Sequence, residues 1–189
     1  MEKEYYKTEA SVKEYINLAK DVNSSGLIEQ FKSFLPSRAR ILEIGSGPGT
    51  DWKLLNKDFD VTGSDFSEEF LKHLNTNNPD GRFIQLDAIS LDTNEKFDGI
   101  YSNKVLQHLN DDELKKSIKR QHEILNPGGI ICHSFWKGEG SEVFKGMFVN
   151  YHTAATLNTF FAEHLEVLRI ESYQEFEADD SLFILGKKK

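Results

Sequence analysis

A glycine-rich loop between an apolar strand and a helical segment most constrains the fold of this chain. The stretch ILEIGSGPGTD, residues 41–51, places Gly45, Gly47 and Gly49 directly after a short apolar run. A side chain in this loop would keep a ligand from lying along the backbone. The helical segment that follows offers free N–H groups in its first turn. The pattern predicts a strand, a ligand-binding loop and a helix.

Short strands alternate with helices along the rest of the chain. The strand patterns are RILEI (40–44), FDVTG (59–63), RFIQL (82–86), FDGIYS (97–102) and GIICHSF (129–135). Helical patterns separate them, with Ser67, Asn110 and Thr153 as predicted N-caps. Such alternation is typical of a parallel sheet covered by helices on both faces. The last two strand patterns, LEVLRIESYQEF and SLFILG, are separated only by EADD, so they predict an antiparallel hairpin.

Composition limits the compartment and the classes of partner. The 189 residues suit a single domain, and 31 acidic against 23 basic side chains give a net charge of −8, which disfavours nucleic acid. Cys132 is the only cysteine, and neither it nor the histidines show metal-ligand spacing, so no metal is expected. The N-terminus is too polar for a signal peptide, and no apolar run approaches the roughly 20 residues of a membrane span. We therefore expect a cytoplasmic protein with no membrane partner.

Acidic residues stand where the first three strands end. Asp65 follows Gly45 by twenty positions, at the end of the second strand, where a carboxylate typically accepts hydrogen bonds from the ribose of an adenosine cofactor. Phe66 is placed to cover the adenine, Asp87 ends the third strand, and Glu43 precedes the loop. The sequence therefore predicts an adenosine-containing ligand.

The form of the loop separates two adenosine ligands. A dinucleotide fingerprint reads G-x-G-x-x-G, whereas here Thr50 stands in the sixth place. A pyrophosphate is also anionic and would be repelled by Glu43. S-adenosylmethionine carries a sulfonium and an ammonium group, so a set of carboxylates favours it over a nicotinamide dinucleotide.

The runs LEIGSGPGTD, VTGSDFS, IQLDAIS, FDGIYSNKVLQHL and LNPGGIICHSFW together resemble the class I S-adenosylmethionine-dependent methyltransferases, in particular the small single-domain proteins of type 11/12. The resemblance covers roughly residues 36–186. It implies an α/β, Rossmann-like, doubly wound sheet of seven strands, ordered 3-2-1-4-5-7-6 with strand 7 antiparallel. It also implies a single methyltransferase domain over 36–189, preceded by a helical lid segment over 1–35.

The resemblance assigns nine residues to the cofactor. Those expected beside the methionine part are Glu43, Gly45, Ser46, Gly47 and Asn103. Those expected at the ribose and adenine are Asp65, Phe66, Asp87 and Ala88. In the predicted lid, Tyr6 and Tyr15 are the residues placed to close over the cofactor, although for Tyr15 the favoured interpretation is packing on the apolar face of its helix.

A sulfonium methyl group is already activated, so the protein need only hold an acceptor in line with it and exclude water. At most a base removes a proton from the acceptor. The candidates are His108, after the fourth strand, and Tyr151, before the last helix, both at positions where the family often has such residues. His133 is interpreted as a core histidine.

Two features favour a small-molecule acceptor. The residues after the fourth strand, SNKV (102–105), lack the Asn/Asp-Pro-Pro-aromatic run of amide- and base-amino methyltransferases, and the insert 137–152 is short. Alternatives are a protein or RNA methyltransferase that acts with a partner, an NAD-dependent oxidoreductase, and a cofactor-binding protein without catalysis. The residues name neither the acceptor nor the atom that is methylated, and they leave the oligomeric state open.

Overall fold

The computed structural model describes residues 8–18 and 23–189. Its strands are β1 (Arg40–Ile44), β2 (Asp60–Asp65), β3 (Arg82–Gln85), β4 (Phe97–Asn103), β5 (Leu125–Trp136), β6 (Ser141–Phe144), β7 (Met147–Asn150), β8 (Leu165–Tyr173) and β9 (Ser181–Lys188). Seven of them form one sheet in the order β3-β2-β1-β4-β5-β9-β8. The first five are parallel, and β9 is antiparallel to both β5 and β8. Because β8 and β9 are the sixth and seventh strands of this sheet along the chain, the predicted order 3-2-1-4-5-7-6 with an antiparallel last strand is confirmed.

Helices cover both faces of the sheet. They are α1 (Glu9–Leu18), α2 (Ser25–Lys32), α3 (Thr50–Leu55), α4 (Glu68–Asn77), α5 (Asp111–Ile124) and α6 (Ala154–Ala162), with a 3₁₀ turn at Leu106–His108. Successive strand residues point to opposite faces, so Ile41 packs in a cluster with residues of α2 and α3. Its neighbour Leu42 packs in a second cluster with residues of α5 and α6. None of the helices in the described ranges is long and apolar enough to cross a membrane.

The predicted N-caps form as hydrogen bonds. The Asn110 side chain accepts from the N–H of Glu113 at 3.0 Å, and the Glu113 carboxylate accepts from the N–H of Asn110 at 3.0 Å, which makes a complete capping box. Ser67 caps α4 and Thr153 caps α6, each through a backbone N–H of the first turn. These caps fix where the two helices begin: α4 follows the end of β2, and α5 follows the 3₁₀ turn after β4.

The structure differs from the prediction at the start of β5. Helix α5 passes directly into this strand at Leu125, so β5 begins before its predicted start at residue 129, and both Gly128 and Gly129 lie inside it. Gly128 has φ +74°, a left-handed conformation that suits glycine. The pairing with β4 shifts register between Phe97 and Gly99, which absorbs the bend.

The insert 137–152 contains a hairpin that the sequence patterns did not predict. Strands β6 and β7 pair antiparallel as a separate two-stranded sheet. The two turn residues, Lys145 and Gly146, have φ of +51° and +79°, the signs that a two-residue type I′ turn requires. The hairpin stands over the carboxyl end of the main sheet, because residues of β7 contact the 3₁₀ turn after β4.

Candidate active site

The glycine loop after β1 has the backbone that only glycine adopts freely. Gly45, Gly47 and Gly49 have φ of +69°, +49° and +81°. A Cβ on Gly45 would lie 2.5 Å from a methyl of Val105, so a side chain at this position would collide with the segment after β4. A Cβ on Gly47 would meet only the Tyr15 ring, at 3.9 Å. The loop therefore leaves its backbone bare where it faces the space beneath α1.

Glu43 is a buried carboxylate beneath this loop. Its side chain is 2% exposed, and its Oε2 accepts a hydrogen bond from the Ser46 hydroxyl at 2.5 Å. Burial raises the pKa of Glu43 to about 8, the charge of Asp51 adds to the rise, and the Ser46 hydrogen bond opposes it. A cation brought next to Glu43 would favour its ionised form.

Asp65 ties the loop to the end of β2. Its Oδ2 accepts from the N–H of Gly47 at 2.9 Å, and its Oδ1 accepts from the N–H of Ser67 at 2.9 Å. Burial raises the pKa of Asp65, and these amide hydrogen bonds oppose the rise. In addition to its predicted contact with a ribose, Asp65 thus positions the glycine loop, a role that its sequence position did not indicate.

The other residues predicted at the adenosine lie at the ends of β2 and β3. Phe66 is 46% exposed. The Asp87 carboxylate accepts from the N–H of Ile89 at 2.7 Å, and the Ala88 carbonyl accepts from the Ser117 hydroxyl at 2.6 Å. Since β2 and β3 are paired in parallel, these residues share one edge of the sheet, beside the glycine loop.

A cavity of about 300 Å³ opens on the other side of the loop, over β4 and β5. The predicted residues that line it are Glu43, Gly45, Ser46, Gly47, Asn103 and His108. Those that do not line it are Asp65, Phe66, Asp87, Ala88 and Tyr151. The structure therefore brings the predicted methionine-side residues and one predicted base together in a single cavity.

Asp51, in the first turn of α3, also lines this cavity and had no predicted role. Its carboxylate accepts hydrogen bonds from the hydroxyl of Tyr101 at 2.9 Å, from the Asn103 amide at 3.1 Å, and from the hydroxyl of Ser24. The Asn103 amide oxygen in turn accepts from the hydroxyl of Ser134. Asp51 thus fixes the orientation of the Asn103 amide. The sequence feature that could have indicated a role for Asp51 is the presence of an acidic residue in the first helical turn after the glycine loop.

His108 lies in the 3₁₀ turn with its ring between β7 and the cavity. Its Nδ1 lies 2.7 Å from the carbonyl oxygen of Phe148. A carbonyl only accepts, so Nδ1 carries the proton and Nε2 keeps its lone pair. Burial lowers the pKa of His108, and the Phe148 carbonyl opposes this. The geometry gives a neutral imidazole whose basic nitrogen is Nε2.

The two predicted tyrosines within the described ranges lie in different surroundings. Tyr151 donates to the Glu142 carboxylate at 2.5 Å, on the surface of the β6–β7 hairpin, so its predicted catalytic role draws no support from the cavity. Tyr15 lines the cavity and also contacts Phe70 edge-on, with ring centroids 5.8 Å apart. Tyr6 lies outside the described residues. The interpretation of His133 as a core residue agrees with its complete burial.

Lys104 forms the far wall of the cavity, at the end of β4. Its ammonium donates to the Phe135 carbonyl at 3.1 Å and to the Ser181 hydroxyl at 2.6 Å, and it pairs with Glu175 at 3.4 Å. It also lies 3.4 Å from the centre of the Trp136 ring. Burial lowers the pKa of Lys104 to about 8, while Glu175 opposes this. Sequence patterns did not indicate this cluster.

Comparison with known proteins gives a match to a family model over part of the chain and a shared fold over most of it. Residues 41–129 match the family model described as a methyltransferase domain. Trans-aconitate 2-methyltransferase from Variovorax paradoxus is 35% identical over 102 residues, which cover 52% of this chain. The match covers 39% of that protein, so the chain spans about two fifths of the length of this relative.

Solved structures share the whole fold at low sequence identity. The 1,6-didemethyltoxoflavin-N1-methyltransferase of Burkholderia thailandensis, solved with 1,6-didemethyltoxoflavin and S-adenosylhomocysteine, has a TM-score of 0.79 at 20% identity and covers 95% of this chain and 84% of its own. An S-adenosylmethionine-dependent methyltransferase from Clostridium acetobutylicum has a TM-score of 0.78 at 15% identity, covering 93% and 98%. Residues 41–129 thus match a methyltransferase-domain model, and the whole chain shares its fold with solved S-adenosylmethionine-dependent methyltransferases, in agreement with the predicted resemblance.

Proposed function

We propose that the chain binds S-adenosylmethionine at the glycine loop and transfers its methyl group, by in-line displacement, to a small-molecule acceptor in the cavity. The observation that carries this proposal is that the predicted cofactor loop and a predicted base line the same cavity. The loop residues and Glu43 form one part of a cavity of about 300 Å³, and His108 forms another part. A methyl donor and an acceptor held there would be adjacent, which is the main requirement of this reaction.

The residues around the loop fit a cationic ligand. Glu43 and Asp51 are both carboxylates of the lining, and no lysine or arginine pairs with either among the described residues. When bound, S-adenosylmethionine supplies a methyl group on a positively charged sulfur. Glu43 and Asp51 would hold the positive charge of the ligand, and Asn103 would contact its methionine part.

The adenosine would lie along the neighbouring edge of the sheet. We assign the ribose to Asp65 and the adenine to Phe66, Asp87 and Ala88, which follow β2 and β3. Asp65 already accepts from the N–H of Gly47, so the same carboxylate would connect the loop and the ribose. The half-exposed Phe66 ring offers an apolar surface for a flat base.

His108 is the base in this proposal. Its Nε2 carries the lone pair, and the apolar lining residues Val105, Met147 and Val149 exclude water around it. A neutral imidazole held in one tautomer is suited to take a proton from an acceptor at neutral pH.

A small acceptor is supported by the size of the cavity and by the relatives. The similar proteins are named for trans-aconitate and for 1,6-didemethyltoxoflavin, both small molecules.

Helix α1 is proposed as a lid, because Tyr15 lines the cavity and Glu14 pairs with Lys145 at the hairpin tip at 2.8 Å. Helix α2 packs into the core through Leu27, Ile28 and Phe31, so the lid would be confined to α1.

Titration calorimetry tests the cofactor, and an acceptor screen tests the transfer. We expect S-adenosylmethionine and S-adenosylhomocysteine to bind and NAD to give no heat of binding. Release of S-adenosylhomocysteine is then followed with small thiols, amines, phenols and carboxylates as acceptors. Tighter binding of NAD than of either methionine derivative would overturn the proposal in favour of an oxidoreductase.

A further inference from the structure

The acceptor end of the cavity has a distinct hydrogen-bonding character. The lining there includes Lys104, His108, Trp136, Phe144, Met147, Glu175 and Phe176. The kind of molecule that can bind here as methyl acceptor depends on which of these polar groups already form hydrogen bonds or ion pairs within the protein. The engaged groups include both lysine ammonium groups of the lining.

Both lining lysines are paired with carboxylates. The three ammonium protons of Lys104 are directed to the Phe135 carbonyl, the Ser181 hydroxyl and the Glu175 carboxylate. Lys145, at the hairpin tip, pairs with Glu14 at 2.8 Å. Lys104, which is 9% exposed, would have to lose its buried partner to bind an acceptor carboxylate, and that loss costs free energy.

Two acceptor atoms at this end of the cavity have no donor among the described residues. The Glu175 Oε2 accepts from the Tyr173 hydroxyl at 2.9 Å and pairs with Lys104, whereas its Oε1 makes no hydrogen bond with the described residues. The Nε2 of His108 keeps its lone pair, because the Nδ1 proton is bound to Phe148. An anion at this end would therefore face a carboxylate and a lone pair, and an N–H group would satisfy both.

We infer, building on the proposed function, that the methyl acceptor is an amine with an apolar body, bound through N–H groups to Glu175 and His108 in preference to a carboxylate. The apolar body would contact Phe144, Met147 and Phe176, since the Lys104 ammonium already covers the Trp136 ring. Phe144 and Phe176 are 55% and 60% exposed, so the mouth of the cavity is itself apolar.

The transfer on an amine balances with these residues alone. The bound ammonium gives one proton to Nε2 of His108, and the freed nitrogen lone pair attacks the methyl carbon. The N–C bond forms as the S–C bond breaks, and the bonding pair stays on sulfur as a neutral thioether. The product is a methylated ammonium, whose positive charge faces the Glu175 carboxylate.

Matched pairs of probes test the inference on the unmodified protein saturated with S-adenosylhomocysteine. The pairs are phenethylamine with 3-phenylpropionate, and tryptamine with indole-3-propionate, which differ only in the terminal group. We expect each amine to bind about ten-fold or more tightly than its carboxylate, the effect of one hydrogen bond to a charged group. Equal binding, tighter binding of the carboxylates, or no binding of either amine overturns the inference. Failure of S-adenosylhomocysteine to bind would instead contradict the proposed cofactor.

Two variants on the loop between β8 and β9 test whether Glu175 causes the preference for amines. Glu175→Gln keeps the size and an accepting oxygen toward Tyr173 and Lys104 but removes the charge. Glu177→Gln makes the same change at an exposed position two residues away. We expect Glu175→Gln to reduce the preference for amines about ten-fold with S-adenosylhomocysteine affinity retained, and Glu177→Gln to match the unmodified protein. A preference that survives in a cofactor-binding Glu175→Gln protein overturns the role of Glu175.

Discussion

The Nδ1 atom of His108 donates a hydrogen bond to the carbonyl oxygen of Phe148 over 2.7 Å. Phe148 belongs to β7, so the hairpin inserted after β5 selects which nitrogen of the imidazole is basic. A histidine with Nδ1 protonated presents Nε2 to the cavity, and burial keeps its pKa below the ordinary value, so the ring is neutral at pH 7.

Replacing His108 separates base catalysis from mere proximity. His108→Gln should lower kcat by about 10²–10⁴-fold on an accepted amine, with S-adenosylhomocysteine affinity unchanged, because the ring faces the acceptor. Activity of the unmodified protein should fall on acidification below the lowered pKa of this histidine, as Nε2 takes up a proton. His73→Gln, on α4 and outside the cavity lining, is the control. An increase in KM alone would argue for a binding role.

The tautomer itself is measurable without an acceptor. Nitrogen-15 NMR of the imidazole should show a protonated Nδ1 and an unprotonated Nε2 for His108 near neutral pH. Chemical shifts of the opposite tautomer, or of a doubly protonated ring, would contradict the assignment of Nε2 as the base.

Removing the Asp65 carboxylate should weaken cofactor binding. Asp65→Ala loses the acceptor for the Gly47 and Ser67 N–H groups, and it loses the proposed contact with the ribose. Hydrogen bonds to a charged group contribute about 1.5–3 kcal/mol each, so affinity for S-adenosylhomocysteine should fall by about ten-fold or more. Asp60→Ala changes the same residue type at the exposed start of the same strand and should leave affinity unaltered. A folded Asp65→Ala protein with undiminished affinity would mean that neither the loop nor the ribose depends on this carboxylate.

Glu43 should make stability depend on pH. Its pKa is about 8 in the folded protein against an ordinary value of 4.5, so the folded state holds a proton that the unfolded chain releases between these values. This contribution is complete below the ordinary pKa and is lost as pH rises toward the folded value, by up to about 1.4 kcal/mol per pH unit. A glutamine at position 43 does not titrate, so the free energy of unfolding of Glu43→Gln does not show this decrease. Relative to the unmodified protein, the variant should therefore become more stable as pH rises through that interval.

Urea unfolding at several pH values measures this difference. Asp65 also has a raised pKa, but it is present in both proteins, so the difference isolates Glu43. Glu166→Gln, the same change at an exposed position of β8, is the control variant. A difference between Glu43→Gln and the unmodified protein that stays constant with pH would show that Glu43 is ionised in the fold.

Breaking the buried pair of Lys104 and Glu175 should lower the free energy of unfolding more than breaking an exposed ion pair whose acidic residue lies on the same loop. Both side chains are 9% exposed, so Lys104→Met would leave a carboxylate without its charge partner, at a cost of about 3–5 kcal/mol in unfolding free energy. Lys137→Met breaks the exposed pair with Asp179 and should lower the free energy of unfolding much less. The double variant Lys104→Met with Glu175→Gln should recover part of the loss. Equal costs for the two single variants would contradict the burial argument.

The strands and their order in the sheet could be predicted from the sequence, because the residues that specify each element lie close together along the chain. Apolar strands, turn residues and N-caps such as Asn110 specify each element within a few positions, and parallel alternation then limits the order. The β6–β7 hairpin escaped prediction because its turn is Lys145–Gly146, which lacks the asparagine or aspartate that marks such turns.

The polar clusters of the site were harder to predict, because their partners are distant in sequence. Asp51 accepts from Ser24 and Tyr101, which are 27 and 50 positions away, and Lys104 reaches Ser181 across 77 positions. Glu43 and the loop glycines were identifiable because they lie in the last residues of one strand and directly after it. The positioning role of Asp65 needed the observed distance to the Gly47 N–H, which no spacing rule supplies.

A crystal structure of the protein with S-adenosylhomocysteine tests the central claim most directly. We expect the ribose at Asp65, the adenine between Phe66 and Asp87, and the sulfur in the cavity directed toward His108. The same soak with phenethylamine should place its nitrogen between His108 and Glu175. A ligand bound away from the glycine loop, or a sulfur directed out of the cavity that His108 lines, would contradict the account.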